Sequence, residues 1–317
     1  MRVSPLPPRR PSDPSCPSFP PAAPFFPPVG SSCPPAAPFC HPAEGRISSP
    51  IRLEWKSALM LALLTVAGLG MFAWPLFVPA ETSAATSAPF VFIALLPLLI
   101  FLVLAQISEK GMDAKALAIL GVLSAVNAAL RPLGAGTNGI ETVFFLLVLA
   151  GRVFGAGFGF VLGCTSMFAS ALLTAGVGPW MPFQMLASAW IGMGAGLLPD
   201  SILGRKIRGA GEIAMLIVYG IVAAYVFGAI MNLWFWPFIA GPATSDGTDL
   251  AYIPGGPLLE NLKRFGWFTL ITSTAVWDTG RAITNSVLLV LVGSPVLAAL
   301  RRTVRRARFD PQVEFHS

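Results

Sequence analysis

From Lys56 onward the chain alternates long apolar runs with short polar breaks. The runs fall at 57–78, 90–108, 114–133, 155–176, 178–198, 211–239 and 265–292. Each is close to or above the roughly 17–25 residues that an α-helix needs to cross hydrocarbon. One further piece, ETVFFLLVLA at 141–150, is too short by itself. It can cross only if it continues to about Phe154 and is surrounded by other helices rather than lipid.

Charge decides how that piece is read. If it crosses, Arg46, Arg52 and Lys56 share one side with Lys110, Lys115, Arg152, Arg205, Lys206, Arg208 and the C-terminal arginines from Arg301 to Arg308. The opposite side keeps only Arg131, Lys263 and Arg264. If it does not cross, the later basic clusters move to the other side. Because cytoplasmic loops carry the excess of Lys and Arg, the pattern predicts eight spans in the cell membrane with both termini cytoplasmic. The fold class expected is an all-α polytopic membrane protein. Its parts are a tail at 1–50, two N-terminal helices at 51–112, a six-helix domain at 113–300 and a basic tail at 301–317.

Composition agrees with a lipid-embedded chain. Of 317 residues, 55% are hydrophobic and only 11% charged, and the mean hydropathy is +0.71. A soluble globule would carry about a quarter charged residues. The net charge of +6 is dispersed at the ends of apolar runs, so it reads as topology rather than as a nucleic-acid surface.

Residues 1–50 hold 16 of the 30 prolines. Proline lacks an N–H and disfavours helix at the residue before it, so this stretch is expected to be disordered or locally polyproline II. It lacks the apolar core of a signal peptide. It reads either as a tail, with PxxP matches of the SH3-ligand type, or as translated sequence upstream of the true start.

Enzyme chemistry finds little to work with. The only histidines are His41 and His316, and Cys16, Cys33, Cys40 and Cys164 form no C-x-x-C pair, so neither a zinc site nor any other cofactor is expected. The spans contain no G-x-S-x-G and no carboxylate pair at helical spacing, and the chain has no Walker A sequence.

Polar residues near the outer ends of spans are the candidates for binding. GAGTNGIE, Gly134 to Glu141, offers Asn138 and Glu141 at the membrane edge, or is a plain flexible loop. In GVGPWMPFQMLASAW, 176–190, two glycines and two prolines mark a helix–helix corner. There Trp180 and Gln184 could line a pocket mouth, although Trp180 also suits an interfacial belt. Asn232 precedes Trp234 and Trp236 near the end of the next span. VWDTGRAITN then puts Trp277, Asp278 and Arg281 on the last span, with Asn285 one turn further along the Asp278–Arg281 face. Charges at that depth face a bundle interior or cavity. They form either a structural ion pair or part of a polar site. Gly155, Gly159 and Gly163 recur every four residues, which predicts one helix face in tight contact with another backbone.

The phrases AKALAILGVLSAVNAALRPLG, FFLLVLAGRVFGAGFGFVLGCTSMFASALL and GVGPWMPFQMLASAWIGMGAGLL together resemble the substrate-binding S component of energy-coupling factor (ECF) vitamin transporters. GPWMPFQMLA in particular resembles actinobacterial S components often linked to cobalamin-type substrates. The resemblance covers roughly 112–295, is specific at 150–198 and weak after about 210. The family has six helices, so the first two spans here are an addition.

The resemblance implies capture of a vitamin-like solute, cobalamin favoured, from the outer side. It also implies partnership with a membrane T subunit and two ATPase subunits, with no nucleic acid involved. The family docks through an A-x-x-x-A face on its first core helix, which Ala114 and Ala118 match; Gly121, Ala125 and Ala129 continue the small-residue repeat. The pocket expected is built from Asn138, Glu141, Trp180, Gln184, Asn232, Trp236, Trp277, Asp278 and Arg281, chosen by depth and chemistry rather than by a family motif. A membrane enzyme acting on a lipid or isoprenoid, and a structural scaffold, are the alternatives.

Overall fold

A computed structural model describes residues 55–76, 114–134, 139–202, 204–239 and 250–308. The proline-rich segment, the expected span at 90–108 and Asn138 lie outside the described residues. The described chain is almost entirely helical: α1 (Trp55–Phe72), α2 (Ala114–Gly134), α3 (Val143–Phe154), α4 (Ala156–Leu173), α5 (Met181–Leu197), α6 (Ala210–Ile239), α7 (Leu258–Thr269) and α8 (Thr279–Arg308). A short 3-10 turn, Trp74–Leu76, follows α1, and a π-helical segment, Leu270–Asp278, joins α7 to α8 without a break. A two-stranded antiparallel ribbon, β1 (Ser201–Ile202) and β2 (Arg205–Lys206), connects α5 to α6.

Among the described residues, four helical stretches are long and apolar enough to cross a membrane: 114–134, 156–173, 210–238 and the continuous 258–306. Their outer faces are apolar and exposed, with Val218, Val222 and Val226 on α6 and Val287, Val290 and Leu291 on α8. A surface of this kind suits lipid rather than water. Residues 301–308, the start of the expected basic tail, are helical and belong to α8.

The short piece has the environment it requires. α3 has 12 residues, and ten of them are buried. Leu147, Leu149 and Ala150 are wholly inaccessible. The chain turns sharply after it at Gly155, which has a φ of 97° that only glycine adopts readily. Phe154 and Phe158 stack across that turn with ring centroids 4.5 Å apart.

Glycine contacts hold α3, α4 and α5 together. A Cβ placed on Gly159 would lie 2.2 Å from the Gly192 carbonyl oxygen, and one on Gly192 would lie 2.2 Å from that of Gly159. Gly151 meets the same Gly192 oxygen, while Gly163 meets the backbone of Ala189. The four-residue glycine repeat therefore marks a backbone-to-backbone seam, and its partner is α5. In lipid, where apolar exclusion does not drive helices together, this close packing is what remains.

α1 packs on the same core. Phe72 is 1% exposed and sits edge-on to Phe183 at 4.9 Å. Gly68 abuts Leu186 and Trp190. Beyond α1, the Trp74 indole donates to the Trp234 carbonyl and the Tyr252 hydroxyl to the Pro75 carbonyl.

A polar knot closes the opposite end of the bundle from the cavity described below. Arg152, in the last turn of α3, donates to Glu212 at 2.9 Å, to Asp200 at 2.9 Å and to the Leu198 carbonyl at 2.8 Å. Arg301 of α8 reaches the same Glu212 oxygen at 2.6 Å. Glu212 is 1% exposed, so its charge is compensated inside the protein rather than by water.

The seam and the lipid-facing surface should respond differently to added bulk. Gly159→Val and Gly192→Val are each expected to destabilise by at least about 1–3 kcal/mol through overpacking. Gly121→Val, where a new Cβ meets nothing within 4 Å, should leave stability unchanged. Thermal unfolding of the purified variants, followed by tryptophan fluorescence, separates these outcomes.

Candidate functional site

α2 ends and α3 begins at one corner of the bundle. A Cβ on Gly134 would fall 1.9 Å from the Ile140 carbonyl oxygen, and the Thr142 hydroxyl donates to the Leu130 carbonyl at 2.8 Å. This closure sets Arg131 of α2 beside Glu141. Gly139, with φ of 80°, presses its backbone against the Trp277 carbonyl, where a Cβ would come within 2.3 Å. Of the three glycines in the loop, 134 and 139 are thus required by contact and by conformation.

Between this corner, α6 and the π segment lies a cavity of about 340 Å³. α6 lines it through Gly228, Met231, Asn232 and Phe235, a single face at helical spacing. The π segment contributes Thr272, Ser273 and Trp277, and α5 contributes Gln184. Phe144 of α3, Met167 of α4 and Phe227 of α6 complete the apolar wall.

The π segment explains how a charged pair fits here. Its wide turns bring residues five apart into register. The Ser273 hydroxyl donates to Asp278 Oδ2 at 2.9 Å, and that of Thr279 to the Thr274 carbonyl at 2.7 Å. Asp278 is fully buried behind the cavity wall. Gly228 makes room for it: a Cβ there would sit 2.0 Å from Asp278 Oδ1.

Arg281 is the centre of the charged group. Its Nη1 donates to Asp278 Oδ1 at 2.7 Å and its Nε to Glu141 Oε2 at 2.5 Å. The guanidinium also lies over Phe227 and Phe144, 4.8 and 5.4 Å from their centroids. Both Asp278 oxygens accept hydrogen bonds, one from the Ser273 hydroxyl and one from the Arg281 guanidinium. Two carboxylates and two aromatic faces therefore compensate a single buried arginine. Asn285, one turn on, donates to the carbonyls of Arg281 and Glu141.

Arg131 is placed differently. Its Nη2 donates to Gln184 Oε1 at 2.9 Å, a neutral acceptor and its one hydrogen-bond partner among the described residues, and the side chain lines the cavity. Asn232 Nδ2 is buried with no acceptor.

The sequence-derived candidates divide accordingly. Glu141, Gln184, Asn232, Trp277 and Arg281 line the cavity, and Asp278 stands directly behind it. Trp180 lies elsewhere: it is exposed, and its indole donates to the Gly176 carbonyl, closing the corner at 176–180. Ala175, with φ of 51°, makes the left-handed turn after α4. Trp236 is buried in a separate cluster with Tyr252 and Phe268 and donates to the Leu250 carbonyl.

Arg131, Phe144, Phe227, Gly228 and Ser273 line the cavity and were absent from the candidates. Arg131 alone had a signal in the sequence. It is one of the three basic residues that the predicted eight-span topology sets apart from the others. Among the described residues, no cluster of three or more His, Cys, Asp or Glu could hold a metal ion.

The class that the fold defines is an all-α protein with apolar helices of membrane-crossing length. Compared with known protein families, curated proteins and solved structures, the chain matches none.

Replacing Arg281 would leave Asp278 buried and uncompensated. Arg281→Met is expected to cost about 3–5 kcal/mol. Adding Asp278→Asn should recover part of that loss. Equilibrium unfolding of the two variants in detergent measures the coupling, and no recovery in the double variant would contradict a paired ion.

Proposed function

We propose that this protein is the membrane-embedded capture subunit of an ECF-type, ATP-driven importer, taking up a small micronutrient from the outer side. The observation that carries this reading is the cavity itself. Four helices, the α2–α3 corner and a π segment converge polar groups on a space of about 340 Å³ at one end of an apolar bundle, and solute sites are concave and mostly apolar, with a few placed polar groups. The sequence resemblance at 150–198 supplies the class of transporter.

In this reading the chain crosses eight times with both termini cytoplasmic. The cavity end faces outward, and the knot of Arg152, Glu212 and Arg301 faces the cytoplasm beside the basic residues. α3 crosses as a short span enclosed by protein. The bound solute is smaller than a corrinoid with its nucleotide tail, because the cavity volume suits one or two rings. This narrows the cobalamin expectation to smaller vitamin-like compounds.

ATP hydrolysis comes from two separate ATPase subunits through a membrane T subunit. The docking face is the small-residue stripe of α2. Ala114, Ala118, Gly121, Ala125 and Ala129 are all exposed, whereas the other face of α2 buries Leu120, Ser124 and Asn127. Ser124 pairs with Thr165, and Asn127 donates to Ser166, both on α4. The stripe is therefore free for a partner helix, and small residues allow close approach.

Two sets of variants test the parts separately. Gln184→Ala should weaken retention of solute about tenfold, as loss of one hydrogen bond to a charged group allows, without affecting insertion. Ala118→Leu with Ala125→Leu should abolish co-purification of the T and ATPase subunits while leaving solute binding intact. Native mass spectra of the protein taken gently from its own membrane report both. A protein with neither bound solute nor partners, and unable to take up solute when challenged, would overturn the reading.

A further inference from the structure

Resting on the capture reading, we infer that the solute is a small zwitterion of the amino-acid type, its carboxylate on Arg131 and its protonated nitrogen on Glu141. Arg131 and Glu141 stand side by side where α2 meets α3, tied by the Thr142–Leu130 hydrogen bond and the Gly134–Ile140 contact. Both line the cavity. Opposite charges so placed would ordinarily pair, yet each is drawn away from the other. Gln184 holds Arg131, and Arg281 takes Glu141 Oε2.

What remains is complementary to a zwitterion. Arg131 keeps donors that meet only a neutral amide, and a guanidinium forks onto a carboxylate. Glu141 keeps Oε1, and its side chain is 33% exposed, so a ligand N–H can reach it. The two groups face the cavity from the same α2–α3 corner, which suits a ligand whose opposite charges are only a few bonds apart.

Charge balance argues the same way. By formal charge, Arg131 and Arg281 are matched by Glu141 and Asp278, so the described site carries no net charge. A ligand without net charge leaves it neutral, whereas a bare anion or cation would bring an uncompensated charge into a low-dielectric pocket. The body of the ligand then lies along Trp277, Phe235 and the Phe144–Phe227 floor, with Asn232 Nδ2 offering a donor to any acceptor it carries.

The test uses the full-length protein in lipid nanodiscs with two probes. One is a defined mixture of apolar and aromatic amino acids with their decarboxylated amines and their deaminated acids. The other is the small-molecule fraction of yeast extract. Retained molecules are identified by mass spectrometry for the wild type, Arg131→Gln and Glu141→Gln.

The expected result is at least tenfold enrichment of amino acids over both analogue sets, or retention of an extract molecule carrying both a carboxylate and a protonated nitrogen. Arg131→Gln should then erase the preference over the amine, and Glu141→Gln the preference over the acid. Equal retention of acids or amines, or an extract molecule lacking either group, would overturn the zwitterion while leaving capture standing. If the wild type retains nothing from either probe, both readings fall. The identity of the molecule held by the wild type decides the matter even where a variant does not fold.

Discussion

A helix of 12 residues cannot span hydrocarbon on its own, and the rest of this bundle is arranged around that constraint. α3 avoids lipid by being enclosed, and enclosure demands that its neighbours come close. Gly151, Gly159 and Gly192 meet almost at one point, where any Cβ would overlap a carbonyl oxygen or a neighbouring Cα. The seam is therefore not one feature among several. Without it α4 and α5 stand too far apart to cover α3, and the wall formed by Phe144 and Met167 is lost.

The same short helix separates two groups of buried charge. Glu141 lies just before its first turn and Arg152 in its last. Each belongs to a group that bridges to the C-terminal helix, through Arg281 at one end and through Glu212 to Arg301 at the other. Ions so deeply buried add little net stability compared with apolar packing, but they are costly to unpair. They fix the register of α8 against α3 more sharply than interchangeable apolar side chains could. The cavity depends on that register, because Arg281, Trp277 and Ser273 all reach it from one continuous helix.

Much of this was legible in the sequence because lipid imposes simple rules. Apolar runs of the right length gave the helices, and glycines four apart gave the seam. The spacing of Asp278, Arg281 and Asn285 gave one shared face. The short apolar piece, read as continuing to about Phe154, forms the helix α3 over Val143–Phe154.

What was not legible depends on contacts between distant segments. Trp180 and Trp236 looked like pocket residues because indoles suit ligands, yet each uses its N–H on a nearby backbone carbonyl. Nothing in LITSTAVWD announces a π turn; only its hydroxyl and carboxylate partners five residues apart reveal it. Phe144 and Phe227 read as ordinary apolar residues until α3 and α6 bring them to the same guanidinium.

Enclosure of α3 also has a consequence for how the protein is made. α4, α5 and α8, which cover it, all follow it in the chain, so α3 leaves the ribosome before its shelter exists. It is too short to partition into the bilayer alone, and Arg152 at its end adds to the cost. Only Gly155 separates it from α4. Under the proposed eight-span topology the two therefore enter the membrane as one folded pair, which makes that single residue a step in biogenesis as well as a turn in the finished structure.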